Sequence, residues 1–177
     1  MRVIAGAHRG ATLNAPRGAR TRPTSDRVRE AVFSILASVQ DERVLDLFAG
    51  SGAMAIEALS REASSATLVD SAAAAIAAIN RNLSSLGISA EVRRSDSLEF
   101  LSRARDDARE YDLVFVDPPY RLASVLGRAL TDGLAPVLAP AARVVTESDR
   151  RRPLELAFPL LTERRYGDTL IRIHAAR

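Results

Sequence analysis

The chain has 177 residues, of which 47% are hydrophobic and 27% are charged, and it contains neither cysteine nor tryptophan. This length and composition are typical of one globular domain, and they exclude a disulfide-stapled fold and a thiolate metal site. The net charge of +3 is unevenly distributed, since residues 1–29 carry +6 and the remainder carries −3.

The first 23 residues form a basic segment with few large apolar side chains, and we expect this arm to lie outside the main fold. Such an excess of arginine is typical of phosphate-backbone binding, although a solvated, partly disordered tail has the same composition. The candidate RNA contacts are Arg9, Arg20, Arg22 and Arg27. The segment lacks the apolar core of a signal peptide and the chain has no apolar run of membrane-spanning length, so we expect a cytoplasmic protein without membrane contact.

From Thr24 onward the apolar residues recur at helical spacing, and Thr24, Ser25 or Asp26 can cap this helix. Strand and helix patterns then alternate. Strands are predicted at 44–48, 66–69, 90–94 and 112–116, and helices at 53–60, 71–86, 97–109 and 122–130, the last closed by Gly133. Two or three further strands are predicted to finish the chain, at 143–146, 162–166 and 169–174.

This alternation predicts an α/β domain over residues 24–177, with a doubly wound, mostly parallel sheet covered by helices on both faces. Only Gly167 and Asp168 separate the last two predicted strands. A two-residue connection is typical of a hairpin, so one strand at the edge should run antiparallel to its neighbours.

A glycine-containing loop follows the first predicted strand, in the run Asp46-Leu47-Phe48-Ala49-Gly50-Ser51-Gly52-Ala53. Glycines let a ligand approach the backbone, and the following helix offers free N–H donors, so the loop indicates a nucleotide-like ligand. Gly50, Gly52 and Ala55 also satisfy a form of the dinucleotide fingerprint. A purely structural glycine turn is the alternative.

Two aspartates end the next two predicted strands. Asp70 is placed to accept hydrogen bonds from the ribose hydroxyls of an adenosine cofactor, and Asp96 to meet an adenine amino group. Each can instead cap the helix that follows, and Glu99 completes a capping-box spacing with Asp96. His8 and His174 lack partners with metal-ligand spacing, so no metal is assigned.

The tetrapeptide Asp117-Pro118-Pro119-Tyr120 stands where the buried run 113–116 ends. Ligands of open α/β sheets bind beyond such strand ends, and consecutive prolines hold a rigid, extended turn whose preceding carbonyls are free to accept hydrogen bonds. Asp117 adds a carboxylate acceptor and Tyr120 adds a ring that can stack on a base. The planar amino group of a nucleobase fits this array, whereas an ordinary turn with a packing tyrosine is the alternative.

These motifs resemble those of class I S-adenosylmethionine-dependent methyltransferases. The glycine loop resembles their first motif, Asp70 and Asp96 resemble their later cofactor acids, and Asp117 to Tyr120 resembles the motif of amino-methylating members. The segments Arg2-Val3-Ile4-Ala5-Gly6, Arg9-Gly10 and Arg22-Pro23-Thr24-Ser25-Asp26-Arg27-Val28-Arg29-Glu30 resemble the bacterial family that methylates a guanine N2 of 16S ribosomal RNA. This similarity runs over nearly the whole chain.

The resemblance implies a seven-stranded sheet, S-adenosylmethionine as cofactor, and 16S ribosomal RNA or the small ribosomal subunit as partner. It implies that Asp117 and the Pro118 carbonyl hold the amine while Tyr120 stacks on a flipped base, with Pro119 completing the motif, and that Thr24 and Arg27 lie near the cofactor or that base. The cofactor-binding residues that it implies are Asp46, Phe48, Ala49, Gly50, Ser51, Gly52, Asp70, Ser71, Asp96, Ser97 and Thr24.

Three other functions remain open at this point. A DNA methyltransferase acting on adenine N6 or cytosine N4 would use the same acceptor array, although the chain has little room for a separate target-recognition domain. A nicotinamide-dependent oxidoreductase would explain the glycine loop but not Asp117 to Tyr120. A non-catalytic RNA-binding assembly factor would keep the fold without turnover.

Overall fold

The computed structural model describes residues 1–16 and 25–177, apart from the side chains of Tyr120, Arg121, Leu122 and Ser124. The helices in this part of the chain are α1 (Asp26–Leu36), α2 (Ala53–Ser60), α3 (Ala73–Leu86), α4 (Ser97–Asp106) and α5 (Tyr120–Leu134), the last followed by a 3-10 turn (Ala135–Val137). The strands are β1 (Arg43–Leu47), β2 (Ser65–Asp70), β3 (Glu91–Arg94), β4 (Tyr111–Val116), β5 (Leu138–Asp149), β6 (Leu160–Tyr166) and β7 (Thr169–Ala175). None of these helices combines the length and apolar character needed to span a membrane.

The described strands form one sheet in the order β3, β2, β1, β4, β5, β7, β6, which confirms the predicted doubly wound architecture. Strands β1 to β5 pair in parallel, whereas β7 runs antiparallel to both β5 and β6. The predicted hairpin is therefore confirmed, and Gly167 at its turn has a φ of 63°. The strand order changes direction between β1 and β4, which opens a crevice at their carboxyl ends.

The sheet separates two hydrophobic clusters, as the alternating directions of strand side chains require. One face of the sheet is covered by α1, α2 and α3 and carries Val44, Phe115 and Val145. The ring centroid of Phe115 lies 5.8 Å from that of Phe33 on α1. Leu45, Val114, Val144 and other residues on the opposite face pack against α4 and α5. The carboxyl edge of the sheet is thus fixed by packing from both sides.

The helix ends agree with the sequence pattern at two places and differ at a third. Ser25 caps α1 by accepting from the N–H of Val28, and α3 ends at Gly87, which has a φ of 64°. Gly133 does not close α5, because the helix continues through it to Leu134. A Cβ at Gly133 would lie 3.1 Å from the side chain of Leu101, so this glycine allows α5 to approach α4 closely.

The N-terminal segment does not lie outside the main fold over its described residues, contrary to the sequence-based expectation. Arg2 and Thr12 form an antiparallel bridge, and Val3 and Leu13 are buried in the cluster beneath α2 and α3. Burial of these two apolar side chains explains why residues 1–16 pack against the domain despite their charge.

The carboxylate of Glu57 on α2 holds this segment in place. It accepts from the N–H groups of Ile4 at 2.7 Å and Ala5 at 3.0 Å, and it lies 3.7 Å from the guanidinium of Arg29 on α1. Both side chains of this ion pair are fully buried, and Arg29 also donates to the carbonyl of Arg2. A buried charge is stabilised only by such partners, so the segment, α1 and α2 form one structural unit.

Candidate active site

The loop between β1 and α2 makes a tight turn from residues of unusual backbone conformation. Phe48, Gly50 and Gly52 have φ values of 64°, 57° and 78°. The N–H of Ala49 donates to the carbonyl of Val69 at 3.0 Å, and that of Gly52 to the carbonyl of Ala49 at 2.7 Å. A positive φ at a non-glycine residue such as Phe48 costs free energy and is typical of ligand-binding turns.

The two glycines of this loop serve different purposes. A Cβ at Gly50 would meet only the carbonyl oxygen of Phe48, at 3.9 Å, so this position leaves space for a ligand against the backbone. A Cβ at Gly52 would lie 2.8 Å from Leu68. Gly52 therefore allows α2 to pack on β2, and Gly50 is the glycine that opens the loop.

Asp70 connects the carboxyl ends of β1 and β2. Its Oδ2 accepts from the N–H of Gly50 at 2.9 Å, and its Oδ1 accepts from the N–H of Ala72 at 2.8 Å. Because each carboxylate oxygen has a second acceptor direction, Asp70 can still bind two ribose hydroxyls. The alternative helix-cap role is not observed, since the cap residue of α3 is Ala72.

Asp46 is buried at the carboxyl end of β1, 4% exposed, and its Oδ2 accepts from the N–H of Ala55 on α2 at 3.2 Å. Burial, together with the negative charge of Asp70, raises the pKa of this carboxyl to about 7, against the lowering effect of the hydrogen bond from Ala55. The charge at this end of β1 therefore changes near neutral pH.

Asp117 follows β4 and shares this edge with acidic groups on both neighbouring strands. Burial raises the pKa of Asp117 well above its ordinary value, and the charges of Glu147 on β5 and Asp46 on β1 raise it as well. Asp46 pairs in register with Phe115, so Asp46 and Asp117 point to the same face of the sheet. A cation or a hydrogen-bond donor brought between these carboxylates would be stabilised.

The remainder of the tetrapeptide joins β4 to α5. Pro118 is buried, and Pro119 is exposed and forms the N-cap of α5 with an extended ψ of 133°. Tyr120 is the first residue of this helix. Its side chain lies outside the described part of the structure, so its stacking on a base stays a prediction.

The other candidate cofactor residues lie at the same edge, beyond β2 and β3. Asp96 caps α4, since its Oδ1 accepts from the N–H of Leu98 at 2.9 Å. Glu99 does not complete a capping box, because it accepts from the hydroxyl of Ser95 and from Arg103. Ser97 is buried at the start of α4 and Ser71 is exposed after β2. The cap leaves the second oxygen of Asp96 available for an adenine contact, which stays a prediction.

The candidate RNA contacts separate into two groups. Arg9 is exposed in the loop of the N-terminal segment, and Arg27 is exposed on the first turn of α1. Arg20 and Arg22, together with the proposed cofactor contact Thr24, lie outside the described residues.

Sequence reasoning missed two residues of the site. Glu147 on β5 faces Asp117, which follows β4. Its position just beyond the predicted strand 143–146 could have indicated that it lies at the carboxyl edge of the sheet. Asn82 on α3 is fully buried and donates to the carbonyl of Ser51 at 2.9 Å. Its helical position gave no indication of contact with the loop. Among the described residues, no cluster of three or more His, Cys, Asp or Glu side chains is arranged to hold a metal ion.

Comparison with known proteins places this chain in a family. Residues 1–175 match the model of the family described as conserved hypothetical protein 95. The Ribosomal RNA small subunit methyltransferase D of Haemophilus influenzae is 33% identical over 182 residues, covering 98% of this chain and 93% of that protein. The protein of the same name from Escherichia coli K12 is 43% identical over 123 residues, which cover 68% of this chain and 61% of that protein.

Solved structures agree with this relationship. The structure of the Escherichia coli protein yhhF has a TM-score of 0.85 at 35% identity, covering 99% of this chain and 97% of that one. A Thermus thermophilus 16S rRNA N2 G1207 methyltransferase has a TM-score of 0.70 at 20% identity, covering 92% of this chain and 45% of that one, and shows a shared fold. The chain therefore has the class I methyltransferase fold and belongs to the conserved hypothetical protein 95 family, that of the ribosomal RNA small subunit methyltransferase D proteins.

Proposed function

We propose that this protein transfers a methyl group from S-adenosylmethionine to the exocyclic N2 amine of a guanine in 16S ribosomal RNA. The observation that carries the proposal is the position of Asp117 and Pro118 at the carboxyl end of β4, beside the glycine loop and Asp70. The names of the relatives support a ribosomal RNA of the small subunit as the substrate.

The residues present fit this cofactor. Gly50 leaves open space against the backbone, and Asp70 is oriented by the N–H groups of Gly50 and Ala72 with acceptor directions to spare for a ribose. The carboxyls of Asp46 and Asp117 have raised pKa values at this edge of the sheet, and a positively charged ligand would stabilise their ionised forms. When bound, S-adenosylmethionine supplies a methyl group on a positively charged sulfur.

The reacting amine is a weak nucleophile because its lone pair is delocalised into the purine ring. Asp117 and the carbonyl of Pro118 would accept its two hydrogens and hold the lone pair in line with the methyl group. The amine nitrogen would gain the methyl group as the bond between that carbon and the sulfur breaks, with its electron pair left on sulfur, and the amine would lose one proton. Its environment raises the pKa of Asp117, which makes this carboxylate a stronger base than an ordinary aspartate, so it accepts that proton after transfer.

Nucleoside analysis tests the proposal directly. Purified protein would be incubated with labelled S-adenosylmethionine and either 16S RNA transcribed in vitro or small subunits from a strain lacking the gene. We expect N2-methylguanine as the product. Methylation of adenine N6 or cytosine N4 would instead support an enzyme of the DNA-amine type, and binding without turnover on either substrate would support an assembly factor.

A variant at the acceptor array ties the product to the site. Asp117→Ala should lower turnover by about a hundredfold or more while cofactor affinity stays nearly unchanged. Asp106→Ala is the control, since it removes an exposed carboxylate from the end of α4. Full activity of a folded Asp117→Ala protein would contradict the proposed role.

A further inference from the structure

A run of three arginines, Arg150 to Arg152, leaves the carboxyl end of β5 directly beyond the strand that carries Glu147. Asp149 organises this turn, since its Oδ1 accepts from the N–H of Arg151 at 2.8 Å and its carbonyl from the N–H of Arg152 at 3.0 Å. All three arginine side chains are exposed. The turn therefore presents a fixed set of positive charges at the same edge of the sheet as Asp117.

The arginines are only partly neutralised. Asp168 lies 3.2 Å from Arg150 and 3.9 Å from Arg151, and it is shared between them. No carboxylate in the described part of the chain lies within ion-pair distance of Arg152. Arg128 on α5 is 95% exposed and meets Asp132 at 3.8 Å, a distance at which an exposed pair is weak.

Arg128, Arg151 and Arg152 line one open groove of about 490 Å³ between α5 and the chain that follows β5, together with Val125, Gly127, Pro153 and Glu155. The groove also contains one acid, but Glu155 pairs with Arg172 at 2.9 Å. The walls are held together closely. A Cβ at Gly127 would lie 2.1 Å from the carbonyl of Glu155, and the N–H of Ala157 donates to Thr131 at 3.1 Å.

The groove lies beside the reacting edge. Strand β5 is the neighbour of β4, which ends at Asp117, and α5 starts at Tyr120. At 1.5 Å per residue, Val125 and Arg128 stand roughly 8 Å and 12 Å along the helix axis from Tyr120. The N-terminal segment packs on α2 and α3, on the other side of β4 in the strand order. A substrate that reaches Asp117 would therefore have a basic surface on either side.

We propose that Arg128 and Arg150 to Arg152 form a second phosphate-binding surface, which holds the backbone of the substrate RNA next to the target guanine. This inference rests on the proposed function. Arginine forks bind phosphate oxygens in pairs, and a rigid, incompletely neutralised groove needs little reorganisation to receive them. The N-terminal arm and this groove then hold the RNA at two places, with the reacting base between them.

The test compares two doubly substituted proteins of equal charge. R151A/R152A removes two arginines of the groove. R103A/R105A removes two exposed arginines from the last turn of α4, near the amino edge of the sheet and away from Asp117. Binding of in vitro transcribed 16S RNA would be measured at several salt concentrations. Loss of two phosphate contacts should flatten the slope of log K against log salt by roughly 1.4–1.8.

We expect R151A/R152A to show this flatter slope and a raised KM for RNA, with unchanged kcat and S-adenosylmethionine affinity, and R103A/R105A to resemble the parent. Equal slopes for all three proteins would overturn the inference while leaving the proposed function intact. A defect confined to assembled particles, absent with naked RNA, would show that the surface meets a ribosomal protein instead. Failure of the parent protein to methylate either substrate would overturn the proposed function itself.

Discussion

Asn82 joins the glycine loop to the N-terminal segment through one buried side chain. Its Nδ2 donates to the carbonyl of Ser51 at 2.9 Å and to the carbonyl of Asn14 at 3.0 Å, while its Oδ1 accepts from the N–H of Asn14 at 2.9 Å. The backbone partners fix which way the amide points. A shift of the N-terminal segment therefore moves a group that supports the loop.

Replacing Asn82 should destabilise both the N-terminal segment and the glycine loop. Asn82→Ala leaves the carbonyl of Ser51 and two backbone groups of Asn14 without this partner. The bond to Ser51 is buried, and an unsatisfied buried group costs about 1–3 kcal/mol, whereas Asn14 is exposed to solvent. Urea unfolding should show lower stability, and calorimetry should show weaker S-adenosylmethionine binding. Asn80→Ala, at an exposed position on the same helix, is the control. Unchanged cofactor affinity at reduced stability would confine Asn82 to a structural role.

Asp70 should determine cofactor affinity. Asp70→Ala removes both the proposed ribose acceptor and the carboxylate that accepts from the N–H of Gly50, so binding should weaken by about 1–3 kcal/mol, or roughly 5-fold to 150-fold. Asp70→Asn keeps one acceptor oxygen, so its affinity for S-adenosylmethionine should lie between those of the parent and Asp70→Ala. An Asp70→Ala protein that is folded and binds S-adenosylmethionine like the parent would exclude Asp70 from the site.

The raised pKa of Asp46 predicts a pH dependence of stability. Between its ordinary value of 3.8 and its folded value of about 7, the native protein holds a proton that the unfolded chain has released. The free energy of unfolding therefore falls as pH rises through this range. Asp46→Asn should make that fall shallower, as measured by urea unfolding at several pH values between about 4.5 and 7.5.

Asp112 provides a control of opposite sign for the Asp46 measurement. A hydrogen bond from Arg43 lowers the pKa of Asp112, so this carboxylate stabilises the fold at neutral pH and its contribution is lost as pH falls through the folded pKa. Asp112→Asn should therefore remove part of the loss of stability in acid and leave the fall between pH 4 and 7 in place. The same shallower slope in both variants would contradict the assignment to Asp46.

Tyr120 should act through its ring. Tyr120→Ala removes a stacking surface worth about 1–3 kcal/mol per base, so activity should fall through poorer placement of the RNA while cofactor affinity stays nearly intact. Tyr120→Phe keeps the ring and should remain active. Steady-state kinetics with 16S RNA would separate the two, and an inactive Tyr120→Phe protein would point to a role of the hydroxyl.

The arm is best tested by single substitutions, because a deletion would also remove the buried side chains of Val3 and Leu13. Arg9→Ala should flatten the dependence of RNA affinity on salt by roughly 0.7–0.9 if Arg9 contacts one phosphate. Arg105→Ala, at an exposed site near the amino edge of the sheet, is the matched control. Equal slopes for the parent and both variants would show that Arg9 is solvated when RNA binds.

Periodicity and strand ends were sufficient to predict the alternating elements, the terminal hairpin and the placement of Asp46, Asp70 and Asp117 at one edge. These features depend on local sequence, so they can be read from it. Contacts between distant segments could not be predicted. Glycine often ends a helix, but α5 continues through Gly133, where a Cβ would lie 3.1 Å from the side chain of Leu101.

The N-terminal segment illustrates the same limit. Its charge favoured an arm outside the domain, but the burial of Val3 and Leu13 and the acceptors on Glu57 outweigh it. Those partners lie more than 50 residues away along the chain. Nothing in the local pattern shows that a buried carboxylate will be there.

That separation has a consequence for how the protein folds as it is synthesised. The hydrogen bonds between Asn14 and Asn82 can form only after Asn82 has been synthesised, 68 residues later. At roughly 5–20 residues per second, Asn14 is synthesised about 3–14 seconds before Asn82. During this interval the basic segment is unpaired beside the ribosome, whose RNA is of the kind that we propose as the substrate.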